Sequence, residues 1–411
     1  MIEAFFECSF TISRLRQAPL ADHMDAFASL LAGQGYSIAW ARVQIRVVGE
    51  FNRWLRSKSI GLSRVDENAV TRFLACRERA KPLAPGRAFA LTRLLRMLRD
   101  KGVLAEPQPP APTAAEAAVT AFGDFLRQER GLAETTLANM LPFVEEFLSA
   151  WSPAGRFRLS NLTARDVTQF IQQRATELGA GRAPLLVTAL RSFLRYLRYQ
   201  GEIQTDLAAC VPSVPKYSLS SLPKYLPAGS IERVLQHADR STPRGRQERA
   251  MLFLLARLGL RSAELMALTL DDIDWDAGQI TIRGKGDRWA GLPLPSDVGE
   301  AIADYLRQDR PQCGTRRLFV TRNAPITGLR SRTPIQRAVQ RALDQAGISS
   351  ARGGAHLFRH TLATDMLRRG ASLGEIGEVL RHRDLNTTRI YAKVDLVALQ
   401  KLALPWPGGA R

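Results

Sequence analysis

Cysteine is scarce. The four thiols, Cys8, Cys76, Cys210 and Cys313, lie far apart in a chain of 411 residues and form no C-x-x-C pair. A disulfide scaffold or a zinc ribbon is therefore disfavoured, and a reducing cytoplasm is the expected compartment. Lysine is thin as well: of 58 basic residues only eight are lysine and fifty are arginine. Long apolar runs are missing. None reaches the roughly 18 residues that a membrane span needs, so no membrane partner is expected. The opening stretch MIEAFFECSFTISR carries acids where a secretory signal carries basic residues, so export is not expected either. What is present, 45% hydrophobic and 24% charged residues, is enough to build real cores and excludes wholesale disorder.

The charge balance points to a partner. Lys plus Arg exceeds Asp plus Glu by 58 to 39, a formal +19. Arginine offers a planar fork of donors that matches phosphate oxygens, so a cytoplasmic chain this basic reads as a nucleic-acid binder. A codon bias toward arginine produces the same composition, and charge alone does not separate the two. The excess is uneven. Residues 1–110 hold 17 basic and 10 acidic side chains, residues 111–215 hold 10 and 10, and residues 216–411 hold 31 and 19.

Two proline-rich stretches, AEPQPPAPT at 105–113 and VPSVPKYSLSSLPKYLP at 211–227, read as extended linkers. They cut the chain into 1–104, 114–210 and 228–411. The first two segments resemble copies of one another, each of about four helices. Phe27 aligns with Phe122, Glu50-Phe51 with Glu146-Phe147, and Val70 and Phe73 with Val167 and Phe170. Leu91, Leu94, Leu95 and Leu98 align with Leu190, Phe193, Leu194 and Leu197. The last helix of each copy carries an arginine row, Arg93, Arg96 and Arg99 in one and Arg191, Arg195 and Arg198 in the other. Spaced by three and four, such rows can lie along a phosphate backbone; a solvated surface is the alternative.

The segment 228–411 is mixed. A strongly apolar helix should end at Gly259, with a short helix following from Ser262. QITIRG and GLPLP read as strands of a hairpin around GKGDRWA, which holds Lys285 and Arg288. Helices should follow at DVGEAIADYLRQ, at TPIQRAVQRALDQAG and from His356 onward, and Ser372 with Glu375 forms a capping box for another. Asn386-Thr387-Thr388 reads as a helix cap just ahead of Tyr391. The expected fold class is mainly α with a small antiparallel sheet in the C-terminal part.

Three of the five histidines, His356, His360 and His382, fall within 27 residues. The spacing of four between His356 and His360 fits a zinc helix, but Leu357 stands where a metalloprotease places its Glu, and no further ligands are near, so no metal is expected. A phosphate site fits better. Two arginines and a histidine can hold nonbridging oxygens, a tyrosine can attack phosphorus, and a lysine can protonate the departing oxygen.

Over residues 115–411 the chain resembles the tyrosine recombinase/integrase family. LGLRSAEL supplies Arg261, RGKGDR supplies Lys285, HLFRH supplies His356 and Arg359, LRHRD supplies His382, and TTRIYAK supplies Tyr391, in the family's order. The resemblance implies a helical core-binding domain upstream and a catalytic domain at 228–411. It implies a site-specific recombinase working through a 3′-phosphotyrosine, with Tyr391 as nucleophile, Arg261, Arg359 and His382 bracing the phosphate, Lys285 as general acid and His356 as base or stabiliser. Double-stranded DNA is the implied partner, bound by a homotetramer or together with related recombinases, in the cytoplasm at the nucleoid, without cofactor or metal. Integration, excision or transposition of a mobile element is the implied setting. Arg191, Arg195, Arg198, Arg93, Arg96 and Arg288 are the expected DNA contacts. The family usually has Gly before its second His; here it is Arg381, which alters the turn or adds a phosphate contact. Glu264 should orient Arg261 or cap its helix. Type IB topoisomerases share the tyrosine chemistry but usually carry Lys at the place of His356, and a non-catalytic DNA-binding partner subunit is the other alternative.

Overall fold

Helical spacing of apolar residues governs most of the chain, and helices result. The computed structural model describes residues 1–80, 88–107, 111–151, 159–213, 224–284, 289–349, 354–382 and 384–394. They divide into two units, Met1–Glu106 with Ser221–Arg411, and Pro107–Ser220.

In the first 106 residues the helices are α1 (Ser9–Leu15), α2 (Ala21–Gly33), α3 (Ile38–Ser57), α4 (Glu67–Ala80) and α5 (Phe89–Asp100). The second unit has α6 (Ala114–Gln128), α7 (Glu134–Trp151) and α8 (Ala164–Tyr199). The last of these is two helices joined at Gly179, whose φ of +67° breaks the spiral. Helices α2 to α5 therefore answer α6, α7 and the two halves of α8, and α1 is extra: the first segment holds five helices, not four.

Equivalent residues make equivalent contacts. Phe51 meets Phe73 edge-on at 5.2 Å and 62°, and Phe147 meets Phe170 at 5.1 Å and 64°. Arg77 pairs with Glu50 at 2.9 Å, and Arg174 with Glu146 at 2.6 Å. Every aligned apolar residue from Phe27 to Leu98, and from Phe122 to Leu197, is buried in the core of its own bundle.

The remaining helices are α9 (Ser230–Gln236), α10 (Pro243–Leu258), α11 (Ser262–Ala267), α12 (Ser296–Gln308), α13 (Thr333–Gln345), α14 (Ala355–Arg368) and α15 (Leu373–Val379), followed by a 3₁₀ stretch at Leu385–Val394. Helix α10 is the centre. From Ala250 to Ala256 it is apolar all round and buried, while its first two turns carry Arg244, Arg246 and Glu248 at the surface; it packs against α12, α13 and α14. Thr242 caps its start by accepting from the Gly245 N–H at 3.0 Å, with Pro243 in the first turn. Gly259 ends it in the left-handed region, φ +57°, where a Cβ would come within 2.9 Å of Leu380.

A three-stranded antiparallel sheet lies beside these helices, in the order β1 (Ile273–Asp274), β2 (Gln279–Arg283), β3 (Trp289–Pro293). The hairpin forms as its alternating residues require, but β3 starts two residues before GLPLP because Trp289 pairs with Arg283. Strand β1 is too short to show a period. The expected cap at Asn386-Thr387-Thr388 is not a cap: those residues lie inside the 3₁₀ stretch with Tyr391.

Phe147→Ala, which empties a ring-sized site in a closed core, is expected to cost about 3–5 kcal/mol, and Phe51→Ala a similar amount. Phe10→Ala, at a side chain 68% exposed, should stay within about 0.5 kcal/mol. Guanidinium denaturation of the full chain checks all three.

Candidate active site

Two helices end beside each other, and the site is built at their carbonyl ends. Helix α10 stops at Gly259. Helix α15 stops through Arg381, whose φ of +55° is left-handed. The Arg381 N–H donates to the Glu378 carbonyl at 2.9 Å and the His382 N–H to the Gly377 carbonyl at 2.8 Å. This is the reverse turn that usually takes Gly at the left-handed position. Arginine there costs about 1–2 kcal/mol of backbone strain, so the side chain needs a compensating use.

It has one. The Arg381 guanidinium is 10% exposed and donates to the Leu258 and Val379 carbonyls and, at 3.2 Å, to Glu264 Oε2. Arg359, projecting from α14 and 3% exposed, donates to the Gly259 carbonyl at 2.5 Å and to the Leu380 carbonyl. Two cations thus clamp the negative ends of two helices together. Burial, with the charges of Arg261 and Arg381, brings the Arg359 pKa down to about 9.

Arg261 stands at the start of α11. Its backbone N–H donates to Glu264 Oε2 at 2.8 Å and its Nη1 to Oε1 at 2.6 Å, so Glu264 caps the helix and orients the guanidinium at once. Burial pushes the Glu264 carboxyl up, but the Arg261 N–H and the charges of Arg381 and Arg261 outweigh it and hold the pKa below the usual range. The carboxylate is therefore ionised, buried and shared between two arginines.

His382 follows the turn. Its Nδ1 lies 2.7 Å from Thr388 Oγ1, which leaves Nε2 for another partner. If the threonine hydroxyl donates, Nε2 carries the proton and can donate to an oxyanion. The Tyr391 ring lies parallel to that imidazole, 6.4 Å away and 4° off, and its hydroxyl sits 2.9 Å from His360 Nδ1. Tyr391 is 1% exposed, packed with Ala363, Ile376 and Leu380. Burial raises its pKa, and the positive charges of Arg359 and Arg261 act against that rise.

Burial, aided by neighbouring cations, lowers His360 and His382 to about 4. His356, one turn before His360 on α14 and exposed at the rim, is lowered by partial burial and by Arg359, Arg261 and Arg332.

Of the six catalytic candidates, Arg261, Arg359, His382 and Tyr391 converge and His356 borders them. Lys285 lies outside the described residues, as does Arg288. The hairpin residues on either side, Gly284 and Trp289, line one cleft with Glu264, Arg316 and Arg317.

The expected DNA contacts are differently placed. Arg93 turns inward to Gln44 and, at 2.6 Å, to Tyr36 Oη. Arg191 donates to the Val211 carbonyl at 2.9 Å, and Arg198 pairs with Asp206 at 3.0 Å. Arg96 and Arg195 are exposed. The sequence pointed to neither His360 as the partner of Tyr391 nor Thr388 as that of His382. His360 was visible only as a possible metal ligand, because its partner is 31 residues away.

Similarity to known proteins runs the full length. The phage integrase family matches residues 224–396. A protein of Sinorhizobium fredii named integrase/recombinase y4rA is 46% identical over 99% of both chains. Tyrosine recombinase XerD of Listeria monocytogenes is 31% identical, covering 68% of this chain and 94% of its own. Among solved structures, XerH bound to palindromic difH superposes with a TM-score of 0.56 at 20% identity, over 82% of this chain and 94% of that one. A lambda integrase tetramer bound to a Holliday junction gives 0.51 at 18%, over 75% and 88%.

Because folding holds His360 and His382 neutral down to about pH 4, against an ordinary 6.5, the unfolded chain takes up protons first on acidification. Their contribution is complete above about pH 6.5 and is lost as pH falls from there toward 4. Thermal melting from pH 7 to 4 should show a shallower fall for His360→Asn/His382→Asn than for the unaltered chain.

Proposed function

The chain belongs to the tyrosine recombinase/integrase family and is a tyrosine site-specific recombinase, an enzyme that cuts and rejoins DNA; on that footing we propose that Tyr391 is its nucleophile and a 3′-phosphotyrosine its intermediate. The observation that carries the reading is the convergence of one phenol, two guanidiniums and the His382 imidazole within a single chain.

Tyr391 Oη attacks the scissile phosphorus as its proton passes to solvent water, the bond from phosphorus to the 5′ oxygen breaks, and Lys285 protonates the leaving oxygen and regains a proton from the same solvent. The 5′-hydroxyl of the exchanged strand later reverses these steps and releases the tyrosine. Arg261, Arg359 and the Nε2–H of His382 hold the nonbridging oxygens, where developing charge rewards donors already in place. His356 at the rim stabilises the transferring group. His360 positions the phenol rather than ionising it. Burial lowers the imidazole to about 4 and raises the phenol, so full proton transfer between them ahead of attack is unfavourable and proton loss accompanies attack.

Arg381 makes Arg261 available. When Arg261 turns from Glu264 to a phosphate, a buried carboxylate would be stranded, which is costly. Arg381 stays on that carboxylate and keeps it paired. A glycine at this place would ease the turn and leave Glu264 competing with DNA for Arg261.

The wider assignment follows the same reading. Residues 228–411 form the catalytic domain, 114–210 the core-binding domain, and 1–104 a duplicate of the latter. Arg195 and Arg96, exposed on their bundles, and Arg288 are DNA contacts. The enzyme works as a tetramer on two DNA sites, in the cytoplasm, moving a mobile element. The lambda integrase tetramer on a Holliday junction supports the assembly by analogy of fold.

Incubation with a pool of nicked suicide duplexes in excess EDTA should give a covalent protein–DNA band. Tyr391→Phe should abolish the band and keep DNA binding; a band that survives removes Tyr391 from the role. Arg381→Gly should slow adduct formation by about tenfold to a hundredfold, the worth of one charge-assisted bond, with a smaller loss of DNA affinity as Glu264 holds back Arg261. Adding Glu264→Gln to Arg381→Gly should recover much of the rate, which a purely structural defect would not.

A further inference from the structure

The two bundles share a fold and do not share a surface. In the first, α1 is added against α3, and Gly49 permits the approach: a Cβ there would come within 2.5 Å of Leu15 Cδ2. Between the two helices runs a groove of ≈ 630 Å³, lined by Phe10, Arg14, Gln17, Arg46, Arg53 and Arg56 among others.

Exposed arginines elsewhere in the chain still face carboxylates; Arg16, Arg127, Arg244 and Arg316 each do. The groove is different. Arg14 lies over the Phe10 ring and Arg46 over the Phe6 ring, each at 5.7 Å, and Arg56 donates to Gln17 Oε1. Arg53 is exposed. Among the described residues no carboxylate pairs with any of these four. The one acid that lines the groove, Glu50, is taken by Arg77 at 2.9 Å.

The second bundle has nothing comparable. The alignment that matches Glu50 to Glu146 puts Pro142 and Ser149 at the places of Arg46 and Arg53, and among the described residues no helix answers α1. The groove is therefore an addition to a shared scaffold, and neither core packing nor ion pairing explains its arginines.

We propose that the α1/α3 groove is a second DNA-contact site, gripping one strand of a duplex through its phosphates. From Arg46 to Arg56 the helix advances about 15 Å, the rise of roughly four phosphates along one strand. Arginine forks presented along that length fit regularly spaced phosphodiesters, and aromatic rings beneath Arg14 and Arg46 hold the guanidiniums outward without neutralising them. The contact reads backbone, so it adds affinity and reach without adding sequence preference. It rests on the DNA-processing role proposed above but uses none of the tyrosine chemistry.

The test is the salt dependence of duplex binding, measured on the full chain carrying Tyr391→Phe so that covalent capture plays no part. The slope of log K against log salt falls by about 0.9 for each phosphate that is no longer neutralised. Arg14→Gln/Arg46→Gln/Arg53→Gln should flatten it by about 2 to 3, and the corresponding triple lysine variant should keep it near the unaltered value. Arg53→Gln alone, which breaks no internal bond, should flatten it by about 1 and decides the matter if the triple variant melts early. Slopes unchanged by these substitutions would overturn the proposal. So would an RNA hairpin binding more tightly than the duplex through the same arginines, which would assign the groove to RNA. A covalent adduct missing from the unaltered chain, with the slope change present, would instead count against Tyr391 and leave the groove standing.

Discussion

Everything in the site hangs on a cluster of positive charge held in place by helix ends. The carbonyl termini of α10 and α15 point at one another's neighbourhood, and Arg359 and Arg381 fill the space between them. Without the two guanidiniums these partial negative charges would lack partners; without the carbonyls and Glu264, three arginines could not be packed so closely. Each half of the arrangement makes the other affordable. The result is a preformed cluster of donors beside the phenol of Tyr391.

Glu264 is the hinge of that balance. It is buried, ionised and shared, which makes it a liability if either arginine leaves alone. In this chain a second arginine occupies a backbone position that favours glycine, and its strain is offset by three carbonyl or carboxylate contacts. An arginine at this left-handed turn position is thus a local exchange of backbone ease for charge control. It ties the turn that sets His382 to the helix start that sets Arg261.

Much of this was legible in the sequence because the relevant signals are short. Arg261 sits beside the Gly that ends α10, His356 and Arg359 share one helix face, and Ser372 with Glu375 marks the start of α15. The six candidates came from the resemblance to the family, whose motifs are short; Lys285 among them lies outside the described residues. What escaped are pairings between distant residues. Arg381 meets Glu264 across 117 positions and His360 meets Tyr391 across 31, and nothing local encodes either. The same limit applied to the arginine rows. Period alone placed Arg93 and Arg191 on an outer face, whereas Tyr36, Gln44 and the Val211 carbonyl draw them inward. In the first bundle the extra helix α1 had too little apolar period to be seen, and the groove it creates went with it.

The central claim is that one particular oxygen becomes bonded to DNA phosphorus. Tryptic digestion of the covalent complex, followed by nuclease trimming and mass spectrometry, reads it directly. Cleavage after Arg389 and Lys393 isolates Ile390-Tyr391-Ala392-Lys393. The account predicts a nucleotide phosphodiester on that peptide, localised to the tyrosine; the same mass found on a serine, a histidine or any other peptide would contradict it.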